Sequence, residues 1–108
     1  MSIDPFNESI EYFKVMSSLH RYLRELYLNN NYFTDKIYIT SIFKKYINDV
    51  DKLKQLIILS CTIIKNINIQ YENINNINLF DELYLYLINL KIDKNILDDI
   101  YIKSNFHL

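Results

Sequence analysis

Apolar residues return at three- and four-residue intervals along most of this chain, the pattern of helices with one buried face. In the first third, Phe13, Met16, Leu19 or His20, Leu23, Leu26 and Tyr27 follow that period. An Asp4-Pro5 pair and Asn7 precede them, residues suited to a helix start, and three asparagines at 29 to 31 mark the stop. Thr34 and Asp35 offer the next cap, ahead of Ile39, Ile42, Phe43, Tyr46 and Ile47. The branched and aromatic stretch "KIYITSIF" within this segment is also a strand signal. The helical period holds over the longer window and takes precedence.

Asn48 or Asp49 caps a third helix, in which Leu53, Leu56, Ile57, Cys61, Ile64 and Ile67 line one face while Ile58, Leu59 and Ile63 occupy much of the remainder. A helix apolar on nearly all sides is predicted to lie centrally, with the others packed around it. Its uncharged run from Gln55 to Ile64 is closed by Lys54 and Lys65. That is about half of the roughly 20 apolar residues that a membrane span requires. A core helix is therefore predicted, and no membrane span.

Residues 66 to 78, "NINIQYENINNIN", read as a low-complexity loop with room for a short strand or helical turn. Asn78 with Asp81 and Glu82 opens a fourth helix bearing Leu79, Phe80, Leu83, Tyr84, Leu87 and Leu90. Asp93 opens the last, with Ile96, Leu97, Ile100 and Tyr101. The prediction is an all-α fold, a compact bundle of about five helices around a buried central helix, forming one domain over residues 1 to 108.

Composition narrows the fold further. Half of the residues are hydrophobic and 23% are charged, which places the chain among folded proteins. Glycine and alanine are both absent. Positive-φ positions then fall to Asn or Asp, hairpin-rich β folds are disfavoured, and Gly-rich phosphate loops are excluded. The heavy use of Ile, Asn, Tyr, Lys and Leu is what very AT-rich coding produces, and points to a virus, a phage, plasmid or other mobile element, or a protist of extreme base composition. A single cysteine and an N-terminus without an apolar leader predict an intracellular, cytoplasmic setting.

Charge changes the functional picture more than the structural one. Residues 1 to 54 hold eight basic and seven acidic side chains and residues 55 to 108 hold four and six, so neither half forms a phosphate-binding surface. Nucleic-acid binding through Lys36, Lys44 and Lys45 is the remaining version of that idea. On a chain of net charge −1, three lysines more simply serve solubility.

Candidate chemistry is sparse. His20, His107 and Cys61 include no closely spaced pair of ligands, so no metal site and no cofactor is predicted. Cys61 lies in the most apolar helix and reads as an inert buried thiol. Ser17, Ser18 and His20 share a helix that supplies no oxyanion hole, and His20 reads as a residue at the core edge. Asp81-Glu82 and Asp98-Asp99 are helix neighbours about 100° apart, hence not shared-proton dyads. They read as a helix-start charge and a solvated face. No catalytic residue and no small-molecule substrate is predicted.

What remains is aromatic excess, with ten tyrosines and six phenylalanines. Tyr and Phe are favoured in interface cores. Tyr22, Tyr27, Tyr32 and Phe33, around the first inter-helix segment, are the predicted partner-binding residues, facing a protein partner or a second copy.

The segment "INDVDKLKQLIILSCTIIKNIN", residues 47 to 68, resembles the central helix of the small Bcl-2-like proteins of poxviruses, and "LFDELYLYLINL" follows where their next helix would lie. The resemblance covers about half of the chain and rests on hydrophobic spacing. It departs from the family in its smaller number of helices, and the glycine-containing motif of cellular Bcl-2 proteins is absent. It implies a non-enzymatic antagonist of host apoptotic or innate-defence signalling, and assigns no individual residue. The expected function is a protein-protein interaction module, a small inhibitor or adaptor. A structural subunit of a larger assembly is the alternative reading, and a nucleic-acid-binding helical protein is the next.

Overall fold

The computed structural model describes residues 10–27, 33–71 and 78–103. They form five α-helices: α1 (Ile10–Tyr27), α2 (Phe33–Lys45), α3 (Val50–Tyr71), α4 (Leu79–Asn89) and α5 (Lys94–Lys103). Among the described residues there is no strand. No described helix is long and apolar enough to cross a membrane.

Short polar side chains set three of the helix starts. Asp49 accepts a hydrogen bond from the Lys52 amide at 3.3 Å, Asn78 accepts from Phe80 and Asp81 at 3.0 and 3.3 Å, and Asp93 accepts from Asn95 at 2.8 Å. Each satisfies donors that the first turn leaves unpaired. These are the caps the sequence predicts. The start of α2 differs: the helix begins at Phe33, so Asp35 sits inside the first turn and its carboxylate is free to reach α1. The predicted cap region at Asp4, Pro5 and Asn7 lies outside the described residues.

The core runs along α3. Leu53, Leu56, Ile57, Cys61, Ile64 and Ile67 are all essentially inaccessible, and α1, α4 and α5 pack against this helix. Burying each of the large side chains contributes about 1.5–3 kcal/mol. Ser60 is also fully buried, its hydroxyl donating to the Leu56 carbonyl at 2.8 Å. Contrary to the loop predicted from residue 66, α3 continues to Tyr71, because Ile67 keeps the helical register of the core face. The helix is covered on three sides only. Ile58 is 47% exposed, and Thr62, Lys65 and Ile69 follow it on the open side.

In α1 the buried stripe is Val15, Ser18, Leu19, Tyr22 and Leu23, rotated from the predicted one. Phe13 stands 59% exposed, and Met16, His20 and Leu26 are half-buried at the edge. A purely hydrophobic reading excludes Ser18. The structure includes it because its hydroxyl is bonded across the seam to α2. The axes of α1 and α2 run antiparallel, with Arg21 beside Asp35 and Lys14 stacked 4.7 Å over the Tyr38 ring.

The link between α4 and α5 shows how a chain without glycine ends a helix. Lys91 takes φ 67°, the Lys91 amide donates to the Ile88 carbonyl at 3.0 Å, and the Ile92 amide donates to the Leu87 carbonyl at 3.2 Å. This is a Schellman motif with lysine where glycine is usual, completed by burial of both Leu87 and Ile92. The expected substitute was Asn or Asp. Lysine succeeds here because the two buried neighbours hold the turn against its left-handed strain, of order 1 kcal/mol. Lys91→Gly is accordingly expected to raise stability by about 0.5–1 kcal/mol, measured as the midpoint of urea unfolding at unchanged slope.

Candidate functional site

Several polar groups tie helices together at the seams between them. Asp35, 7% exposed, accepts from the Ser18 hydroxyl at 2.9 Å, from Arg21 Nη2 at 3.1 Å and from Arg21 Nε at 3.3 Å to each carboxylate oxygen. Desolvation pushes this carboxyl up, but the hydrogen bonds from Arg21 and Ser18 and the guanidinium charge together hold it below its ordinary value. The Arg21 side chain is half exposed, so solvent screens its share of the attraction. The Ser18 bond is buried and keeps its strength.

Tyr86 is the second tie. From α4 its ring meets Tyr22 of α1 at 5.7 Å and the edge of Phe43 of α2 at 6.2 Å, and its hydroxyl bonds to Thr40. Burial raises the phenol pKa of both Tyr22 and Tyr86. Between α4 and α5, the Tyr84 hydroxyl donates to Asp98 Oδ1 at 2.7 Å, and that bond lifts its pKa. The Tyr101 hydroxyl donates to the Phe80 carbonyl at 2.8 Å. Cys61 lies beside Tyr101, where burial pushes the thiol up to about 12. A thiol in that state is almost wholly protonated at neutral pH and is a poor nucleophile.

These contacts redistribute the residues singled out from the sequence. Tyr22 belongs to the core, 8% exposed against Tyr86. Tyr27 is the last residue of α1 and Phe33 the first of α2, and Tyr32 lies outside the described residues. His107 lies outside them as well. Asp98 of the Asp98-Asp99 pair is part-buried as a tyrosine acceptor instead of lying on a solvated face, whereas Asp81 and Glu82 occupy the first turn of α4 as expected. Among the described residues, no group of three or more His, Cys, Asp and Glu side chains converges as metal ligands would.

The three lysines separate. Lys45 stands over the Tyr46 ring at 5.2 Å, with Lys52 beside the same ring at 5.0 Å. Lys36 and Lys44 instead border a shallow, open concavity of about 480 Å³ on the outer face of α2, lined also by Ile37, Thr40 and Ser41. Ile37 is 69% exposed in this setting. It points away from Ile39, Ile42 and Phe43, which face the core from the other side of the same helix. The sequence did contain the signal. Ile37 belongs to the branched and aromatic stretch that also reads as a strand, and it stands out of phase with the helical period of Ile39, Ile42 and Phe43.

No known protein family, curated protein or solved structure matches the chain. The geometry of α2 and its attachment to α1 thus carry the functional reading.

The attachment depends on pH. Because the Asp35 carboxyl is held below its ordinary 3.8 when folded, its stabilisation is complete above that value and is lost as the pH falls through the lower, folded-state pKa. Asp35→Asn is expected to lower stability by about 1–3 kcal/mol at neutral pH. Urea titrations at a series of pH values should show the gap from the parent protein closing below the ordinary carboxylate pKa.

Proposed function

We propose that this chain is a protein-binding module with no catalytic role, a small inhibitor or adaptor whose contact surface is the outer face of α2. The observation that carries the reading is Ile37, 69% exposed within a concavity bordered by Lys36 and Lys44. An apolar contact between two cations suits an amphipathic segment that offers one large apolar anchor flanked by acidic residues. Apolar burial supplies the affinity, and the lysines select charge and register. A phosphate backbone fits less well, since Lys45 turns toward Tyr46 and leaves only two cations on this face. Under the resemblance of residues 47 to 68 to the poxviral Bcl-2-like proteins, the partner would be a host apoptotic or innate-signalling protein. In a permanent assembly the same face would be the point of attachment.

The test is a photo-crosslinking side chain at position 37, in cells that make the full chain, with the same probe on the opposite side of the molecule as control. A discrete protein adduct specific to position 37, reduced at least about tenfold by Lys36→Glu with Lys44→Glu, is the expected outcome. Adducts to nucleic acid, or equal adducts from both positions, would exclude this reading.

A further inference from the structure

We infer that two copies of this chain pair by exchanging α2 and α4, the outer face of α2 in each copy resting on the exposed edge of α4 in the other. The inference rests on the reading of the α2 face as a binding surface, and it names a second copy as an occupant. α2 carries three lysines and one aspartate, a net charge of +2, and that aspartate, Asp35, is already engaged by Arg21 and Ser18. α4 carries Asp81 and Glu82 and no basic residue, a net charge of −2. Glu82 is exposed, and Leu85, three residues further along the same edge, is 58% exposed. This edge offers what the concavity at Ile37 takes, one large apolar anchor with acids beside it. Among the described residues, Lys36, Lys44 and Glu82 enter no ion pair within the chain, so their charges are open to a second copy.

The basic and the acidic surface adjoin. Thr40 lines the concavity and bonds to the Tyr86 hydroxyl, and Glu82 lies one turn from Tyr86 on the same side of α4. Burial, then Tyr86, then Glu82 raise the Tyr22 phenol pKa, which puts the Glu82 carboxylate beside the same aromatic cluster. A two-fold axis passing near the bond between Thr40 and Tyr86 lays these surfaces either like on like or crosswise. α2 against α2 would oppose lysines, and α4 against α4 would oppose carboxylates. The crosswise arrangement brings opposite charges together twice, with each Ile37 meeting the partner's Leu85. The combined surface is then self-complementary, as an isologous interface must be. A face of α2 covered in this way is withheld from any other protein, so the dimer equilibrium sets how much of the chain is free to bind one.

Sedimentation of the full chain from about 1 μM to about 1 mM should show a monomer-dimer equilibrium that weakens with added salt. Two charge-reversed chains supply the sharper test, one with Lys36→Glu and Lys44→Glu, the other with Asp81→Lys and Glu82→Lys, circular dichroism confirming that both fold. Each alone should dimerise at least about tenfold more weakly than the parent, because like charges then meet across both contacts. Mixed in equal amounts the two should form a heterodimer, since the reversed α2 of the first meets the reversed α4 of the second while the unaltered helices meet as before. Leu85→Asn, which changes no charge, should also weaken the parent dimer by about tenfold. A monomer throughout that range, a mixture no tighter than its components, or a dimer indifferent to Leu85→Asn would each overturn the proposal. Photo-crosslinking at position 37 keeps the two readings apart. Adducts to other proteins from a chain that stays monomeric would leave α2 a binding surface and remove the second copy as its occupant, whereas self-adducts alone would support the dimer and remove the foreign partner.

Discussion

With neither glycine nor alanine in the chain, no two helices of this bundle can approach through the smallest side chains, and the interior is filled mostly by branched and aromatic groups, with Ser18, Ser60 and Cys61 as its small members. The face of α3 from Leu53 to Ile67 is where that constraint is met most completely, and α1, α4 and α5 take their positions from it. Tyrosine suits such seams, because its ring fills space between helices while its hydroxyl still finds an acceptor or a wet edge. Tyr86 and Tyr101 sit at such seams, and the small buried Cys61 lies beside Tyr101. Among the described residues, Tyr22, Phe43, Tyr46 and Tyr101 are buried, and Tyr12, Tyr38, Phe80, Tyr84 and Tyr86 are partly buried against the core.

The second consequence concerns α2. It rests mainly on α1, through Asp35 at its first turn and Tyr86 reaching in from α4. A helix attached along one side keeps the other for contacts elsewhere. The outer side of α2 is thus the one that carries Ile37 and the two flanking lysines.

Much of this was legible in the residues. Helix count, the three Asx caps and six buried positions of α3, from Leu53 to Ile67, follow from period and capping chemistry, because those signals are local; Ser60 and Ile63 are buried as well, outside the predicted face. The errors arose where a tertiary partner decided the outcome. Ser18 joins the core because Asp35 waits across the seam. Asp35 itself stops acting as a cap for the same reason. Lys91 holds a left-handed turn that its own propensity resists, since burial of Leu87 and Ile92 outweighs it. The candidate surface was legible only in part. Lys36 and Lys44 were visible as charges, but nothing in one dimension separates them from Lys45, which the fold turns toward a tyrosine ring.

The state of Cys61 has a use beyond its packing. A thiol fully enclosed by α3 and α5, with its pKa near 12, cannot react with a thiol reagent unless the helices around it part. Its rate of chemical labelling is therefore set by how often the interior opens, and the chain carries an intrinsic clock for that event. Because the reporter sits on the helix that organises the bundle, it would register loosening of the centre and stay silent to fraying at the edges.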